Sequence, residues 1–431
     1  MKKNDEYDVY CTDLSDQGAG ICKVDEEVVF VFGLLPNERA KIKIIKVYSR
    51  YAIGRLLKLE KESGARQIAP CPVAKWCGGC QLQIVKYEAQ CEFKDQWMAR
   101  LFKQERLYPI LKAKEPLFYR NKAQFPIQLH DGARKMGFYK RHSNEIVDTN
   151  ECLIQNDGIN RIYSFLYEHL DEACARGLRH VFIRCSLSND QAQVVWIGRE
   201  KTREIEALSN SLRQAFPNIV SIVFNYNERK DNVILGEDYE VLYGSNSIIE
   251  TCLGNEVVLH FKSFFQVNPK QMEVLYQRAI ELAGLQKGDR CIELYAGTGT
   301  IGMAVSKYVK EVIGVEIVKE AVENANENAR RNGIENCCFV CEDASKFVKK
   351  YTGDVDVLFV DPPRKGLSEE GIEQIHRLSP NRVVYISCNP NTLKRDIERF
   401  REQAYDCVCI QPVDMFPYTS GIESIALLRK K

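Results

Sequence analysis

The sequence predicts an α/β unit at the carboxyl end, preceded by a small β-barrel and a strand-rich middle. Three stretches carry that expectation. Residues 383–390, V-V-Y-I-S-C-N-P, form an uncharged apolar run that ends in a polar turn, the pattern of a strand buried in an α/β sheet. Residues 285–361 read strand, glycine-rich loop, helix, strand and acid, the order of a nucleotide-binding half-sheet. Residues 7–60 alternate short β-type runs with turns, as small barrels do.

The chain has 431 residues, which suggests about three domains, and its 45% hydrophobic content is enough for real cores. In the first segment, runs at 28–32, 40–47 and 51–59 with Gly18 and Gly20 in a tight connection predict a small antiparallel barrel of the oligonucleotide-binding type. The net charge is only +1, so binding to a polyanion has to come from local patches. Two exist. Residues 39–61 hold Arg39, Lys41, Lys43, Lys46, Arg50, Arg55, Lys58 and Lys61 against the single acid Glu60. Residues 114–141 hold seven lysines or arginines against Glu115 and Asp131. A basic run is commonly just a solvated face. Tyr48, Tyr51, Phe118, Tyr119, Phe125, Phe138 and Tyr139 interleave these runs and favour RNA, whose bases stack on aromatic rings.

No apolar run approaches the length of a membrane span, and no signal-peptide core follows the first six residues, so a cytoplasmic protein with no membrane partner is expected. No feature points to an obligate protein partner. Seventeen cysteines without a secretion signal argue for thiol or metal chemistry rather than disulfides. Cys71, Cys77 and Cys80 in C-P-V-A-K-W-C-G-G-C crowd three thiols beside proline and glycine, which suits a loop wrapped around a metal. Zinc would also accept four thiolates. Spacing leaves the fourth ligand open between Cys91, which is nearer, and Cys152.

Residues 84–105 then read as an amphipathic helix, and 181–186, 193–198 and 221–226 as half-buried strands. A boundary is expected near Gly254, followed by 261–268 leading into a helix over 270–282 stopped by Gly284. Beyond it, 287–289 is a turn, 291–294 a strand, and A-G-T-G-T-I-G at 296–302 a loop whose Gly297 and Gly299 let a ligand approach the backbone. The strand 312–315 ends in Glu316, roughly twenty residues on, where an acid meets ribose hydroxyls. A strand over 355–360 ends in Asp361. Cys388 lies at the carboxyl end of the last apolar run, where ligands of such sheets sit, and close to a helix N-terminus that would favour its thiolate. It is the candidate nucleophile, although a buried structural thiol is the ordinary role of any one cysteine.

The set E-L-Y-A-G-T-G-T, V-E and D-P-P-R resembles an S-adenosylmethionine-dependent methyltransferase. Amino-group methyltransferases carry an aromatic residue after the paired prolines, where Arg364 stands here, and RNA cytosine-5 enzymes carry a second cysteine in this loop. With S-C-N-P, F-F-Q-V-N at 264–268 and F-P-Y-T-S-G-I-E-S at 416–424, the chain resembles the RNA uracil-5-methyltransferase family from near residue 10 to its end. Within that family it is most similar to the bacterial 23S ribosomal RNA enzymes that carry an N-terminal TRAM domain and an iron–sulfur cluster. The resemblance implies Cys388 as nucleophile and Glu423 as base. It implies Gln266, Tyr295, Glu316 and Asp361, beside Gly297 and Gly299, around S-adenosylmethionine or substrate. D-T-N-E-C-L-I-Q after G-F-Y-K-R implies Cys152 as the thiol that closes a 4Fe-4S cluster with Cys71, Cys77 and Cys80. G-A-G-I and V-F-V-F-G-L-L-P-N-E match the TRAM domain, with the implied role of gripping RNA. The division expected is 1–61 for this OB-like barrel, 62–254 for a central iron–sulfur and RNA-binding unit, and 255–431 for a Rossmann-like methyltransferase unit. Alternatives are the same chemistry on a transfer RNA loop uridine, or a noncatalytic iron–sulfur RNA-binding protein, which intact Cys388, Glu423, Gly297 and Gly299 argue against. Family members commonly carry histidine where this chain has Tyr418 and Gly421.

Overall fold

The structure is a computed structural model and describes residues 1–130 and 133–431. Asp131, one acid of the second basic run, lies outside the described residues. Strands β1 (Glu6–Leu14), β2 (Ala19–Val24), β3 (Glu27–Phe32), β4 (Arg39–Val47) and β5 (Tyr51–Lys61) close a barrel in the order β1-β2-β3-β5-β4. Alternate residues fill it, among them Val29, Val31, Ile42, Ile44 and Ala52. The barrel is not wholly antiparallel, because β3 and β5 pair in parallel. The hairpin partner of β4 runs back beside β3, and that pairing closes the ring and leaves no free edge. Gly18 makes the β1–β2 turn at φ 73°, whereas Gly20 lies within β2, where a Cβ would stand 2.6 Å from the Leu34 carbonyl oxygen.

Helix α1 (Tyr87–Leu101) follows the cysteine loop. Its Met98, with Phe102 just beyond, packs into the core of the carboxyl-terminal sheet, and Lys94 makes a 2.6 Å ion pair with Asp414 in which both side chains are buried. Removing one member of such a pair strands a buried charge, at a cost of about 3–5 kcal/mol. This helix is thereby fixed to the far end of the chain.

The middle of the chain forms β6 (Lys122–His130), β7 (Ala133–Tyr139), β8 (Ile146–Asp148), α2 (Asp157–His169), a short α3 (Glu172–Ala175), β9 (Leu178–Cys185), β10 (Ala192–Gly198), α4 (Arg203–Ala215), β11 (Ile219–Tyr226) and β12 (Tyr239–Gly244). The strands make one sheet in the order β12-β11-β10-β9-β6-β7-β8. Half-buried strands are expected here, but β10 is buried at every position. Ile159, Ile162 and Leu166 of α2 and Ile205 and Leu212 of α4 cover one face, and Phe261 packs on Phe182, Val195 and Val223 on the other.

Next come β13 (Ser247–Cys252), β14 (Asn255–His260), α5 (Pro269–Ala283), β15 (Arg290–Leu294), α6 (Thr300–Ser306), β16 (Glu311–Glu316), α7 (Lys319–Arg331), β17 (Cys337–Cys341), α8 (Ala344–Lys350), β18 (Val357–Val360), α9 (Glu369–Leu378), β19 (Arg382–Ser387), α10 (Pro390–Glu402), β20 (Tyr405–Val413) and β21 (Glu423–Lys430). The sheet order is β17-β16-β15-β18-β19-β21-β20, parallel through β19 and antiparallel in the last two pairs. Residue 255 opens β14, whose hairpin partner β13 precedes the expected boundary. Ile248 of β13 and Leu259 of β14 share one core with Ile301, Val357 and Val384. Helix α5 starts on Asn268, whose side chain accepts from the Gln271 N–H, and ends on Gly284 at φ 57°. No helix among the described residues is long and apolar enough to cross a membrane.

Candidate active site and cysteine cavity

The sheet order reverses at β15, between β16 and β18, and in such sheets ligands bind beyond the carboxyl ends of the strands at this point. After β15 the backbone turns left-handed at Tyr295 (φ 66°), Gly297 (φ 54°) and Gly299 (φ 77°). A Cβ on Gly299 would stand 2.4 Å from the Phe339 ring, so close packing demands that glycine. No atom would lie within 4 Å of a Cβ on Gly297, where the backbone conformation itself favours glycine and the space above stays open. The Gly297 N–H donates to Glu316 Oε2 at 3.0 Å, and Ile317 and Val318 donate to Oε1 at 2.9 and 3.0 Å. Glu316 therefore locks the loop to the end of β16.

Gln266, Tyr295, Gly297 and Asp361 line the cleft over this loop, together with Tyr276 and Glu293, which the sequence reading did not single out. Gly299 and Glu316 do not line the cleft, and Glu316 reaches it only through the Gly297 N–H. Glu293 accepts from the Gly302 N–H at 2.8 Å, and burial pushes its carboxyl up to about 8. Burial likewise pushes Asp361 up to about 7. A cationic ligand would favour the ionised form of both. Glu316→Ala is expected to weaken S-adenosylmethionine binding by about 1–3 kcal/mol, through loss of the part-buried carboxylate that holds the Gly297 loop. Calorimetry on the RNA-free protein measures it, and unchanged affinity would remove Glu316 from the site.

The antiparallel ladder of β19 and β21 pairs Ser387 with Ser424. Cys388, one residue on, and Glu423, one residue back, thus emerge side by side at the edge where Asp361 ends β18. Glu423 is 3% exposed, and its Oε2 has no hydrogen-bond partner among the described residues. Burial, then Asp361, holds this carboxyl well above the usual carboxylate range, with Arg364 opposing. Burial, then Glu423 and Asp361, pushes the Cys388 thiol up to about 11, again against Arg364. The expected bias of the α10 N-terminus toward a thiolate is thus outweighed in the free protein. Both groups are therefore biased to their protonated forms in the free protein, and a bound substrate has to change that balance before Cys388 can attack and Glu423 can accept a proton.

The residues leading to Glu423 reach back to the cysteine loop. Tyr418 (φ 64°) donates its N–H to Gln90 Oε1 at 2.8 Å, and its carbonyl accepts from the Leu82 N–H at 3.0 Å. Its ring packs with Tyr119 and Ile154 against Cys80 and Cys152. A Cβ on Gly421 would lie 3.0 Å from Phe416, so a side chain there requires the ring to move.

Cys71, Cys77, Cys80 and Cys152 line one cavity of about 310 Å³. Cys91 lies elsewhere, on the buried face of α1, with its thiol 4.0 Å from Asp414 Oδ2. Among the described residues no three His, Cys, Asp or Glu side chains are grouped tightly enough to hold a single ion. Burial pushes Cys80 up to about 12 and Cys152 up to about 11, so a metal entering here displaces protons. On the barrel, exposed Tyr48 and Tyr51 stack at 4.7 Å between ring centroids, and the Lys46 ammonium lies 4.7 Å over Tyr48.

A family model described as tRNA (Uracil-5-)-methyltransferase matches residues 86–431, and a TRAM domain model matches residues 2–57. The chain belongs to the RNA uracil-5-methyltransferase family. An uncharacterized RNA methyltransferase of Halalkalibacterium halodurans is 40% identical over 450 residues, covering 100% of this chain and 98% of that one. One of Clostridium acetobutylicum is 38% identical over 453 residues, with the same coverage. The solved Pyrococcus abyssi tRNA (uracil-54, C5)-methyltransferase, in complex with S-adenosyl-L-homocysteine, superposes with a TM-score of 0.79 at 24% identity, covering 98% of this chain and 100% of that one. The carboxyl-terminal sheet accordingly has the S-adenosylmethionine methyltransferase fold.

Proposed function

We propose that this methyltransferase modifies carbon 5 of a uridine in 23S ribosomal RNA through a covalent bond from Cys388, resolved by Glu423. The observation that carries the mechanism is the Ser387–Ser424 pairing, which sets a thiol beside a buried carboxyl group whose Oε2 has no partner among the described residues. Uracil is too weak a nucleophile at carbon 5 to act unaided. The Cys388 thiolate adds to carbon 6, and the ring electrons move onto carbon 5. S-adenosylmethionine, when bound in the cleft, supplies the electrophilic methyl group. Glu423 then takes the proton from carbon 5, the carbon–sulfur bond breaks, and the ring double bond reforms. Gln266, Tyr295, Gly297, Gly299, Glu316 and Asp361 are the residues proposed to hold or shape the cofactor site. The uridine has to leave its stack to reach Cys388.

The choice of 23S RNA rests on a TRAM barrel together with four thiols around one cavity, the combination that marks the ribosomal branch in the sequence resemblance. Transfer RNA is the second reading, favoured by the substrate named for the Pyrococcus enzyme. Mapping 5-methyluridine in total RNA from cells with and without the gene decides between them. Loss from 23S RNA supports the first reading, and loss confined to transfer RNA overturns it.

The cysteine cavity is proposed to hold a 4Fe-4S cluster on Cys71, Cys77, Cys80 and Cys152. Four sulfurs spread around a cavity of about 310 Å³ suit a cluster better than zinc, whose ligands converge to about 2.3 Å from one point. Its role is to brace the RNA-binding region, since Tyr119 and Tyr418 pack on two of these thiols, Cys80 and Cys152. Anaerobically purified protein is expected to be brown, with iron and acid-labile sulfide. Cys152→Ser should lose most of that iron while Cys91→Ser keeps it. Zinc without labile sulfide would sink the assignment.

A further inference from the structure

A second cavity, of about 460 Å³, opens where the barrel meets the central sheet and the cysteine loop. Phe32 of β3 forms one wall, Tyr139 and Arg141 another, and Gly78, Gln81 and Ser420 the floor. Its volume lies within the range of small-ligand sites, about 300–1,000 Å³, large enough for one nucleotide and too small for a helix. The Arg141 guanidinium lies 4.4 Å over the Phe32 ring, and Tyr139 is 39% exposed. Among the described residues no carboxylate lines the cavity. Aromatic faces and arginine planes beside a cation, with no acid, form the chemistry that receives an unstacked base and its phosphate.

The floor ties this cavity to the reaction site. Gln81 donates its amide to the Gly78 carbonyl at 3.1 Å and accepts from the Ser420 N–H at 3.3 Å. Ser420 is on the segment that carries Glu423. We propose that this cavity binds a second, unpaired nucleotide of the substrate RNA, stacked against Phe32 and Arg141, while the target uridine enters beside Cys388. The inference rests on the RNA-methylating reading but uses none of its catalytic residues. Holding a neighbouring nucleotide here fixes the strand on both sides of the floor segment, and so selects RNAs that are single-stranded at two places.

The test uses the full chain in a Cys388→Ala background, so that binding is measured without turnover. The probe is a short fluorescein-labelled single-stranded RNA, followed by anisotropy over a salt series. Phe32→Leu and Arg141→Gln are each expected to weaken binding roughly tenfold, as loss of one stacked base does. Arg141→Gln should also lower the salt slope by about one, the mark of one lost phosphate contact. Tyr308→Ala, exposed on the carboxyl-terminal unit after α6, should bind as the parent does. A probe with abasic sites should lose the Phe32 dependence. Parental affinity in both cavity variants, equal weakening by Tyr308→Ala, or a Phe32 effect that persists on the abasic probe overturns the proposal. If the variants bind weakly yet active protein forms no 5-methyluridine, the methylation reading alone fails. If 5-methyluridine forms and the variants bind normally, the cavity alone fails.

Discussion

Cys388→Ala is expected to lower turnover by about 10⁴-fold or more, the scale on which removing a covalent nucleophile acts. The variant should still bind RNA and S-adenosylmethionine, because the thiol is half-buried at the end of β19 and takes no part in the cleft that Gln266, Tyr295 and Asp361 line. The same thiol sets a pH dependence. Its ionised form is the reactive one, and burial beside Glu423 and Asp361 raises it to about 11. Below that value the thiolate fraction of the free enzyme grows about tenfold for each pH unit. Accordingly kcat/KM for RNA should climb from pH 7 to pH 9, since this ratio reports free-enzyme ionisations. A flat profile over that window would show that RNA meets a thiolate already formed.

The candidate residues that the sequence singled out from pattern alone are those in which one strand ends in one reactive residue. An apolar run delivers Cys388, another delivers Asp361, and Glu316 closes a third. Each is legible because a parallel strand buried on both faces is nearly uniform in character and its end is abrupt. Glu293 was harder to see. It interrupts such a run one residue before its end, and an acid there is usable only because the Gly302 N–H meets it, a contact set by how α6 returns over β15. Tyr276 comes from α5, where an aromatic residue at helical spacing looks like any core position. The pairing of β3 with β5 and the sharing of a core by β13 and β14 across residue 254 are tertiary choices with no local signature. Cys152 shows the same limit from the other side. Spacing left the choice open and Cys91 is nearer in sequence; the resemblance pointed to Cys152, and the fold sets Cys152 beside the three clustered thiols and Cys91 against Asp414.

Glu423→Gln is expected to stop the reaction one step later than Cys388→Ala. The amide keeps the shape at the start of β21 but cannot accept a proton, so attack by Cys388 and methylation proceed while the carbon 5 proton stays in place. Elimination of the cysteine requires that proton to leave first. A covalent RNA–protein adduct should therefore accumulate, with multiple turnover down by about 10²–10⁴-fold, the usual contribution of a general base. The adduct should survive denaturing electrophoresis, carry label from the methyl donor, and vanish when Cys388 is also replaced. Glu423 is 3% exposed and Gly421 offers no side chain to relay a proton, so a water-borne bypass is disfavoured. The nearest competitor is Asp361, which raises the pKa of Glu423 from the end of β18 and whose own carboxyl is pushed up to about 7. Full turnover by Glu423→Gln with no trapped species would move the base role to Asp361, and Asp361→Asn should then trap the adduct in its place.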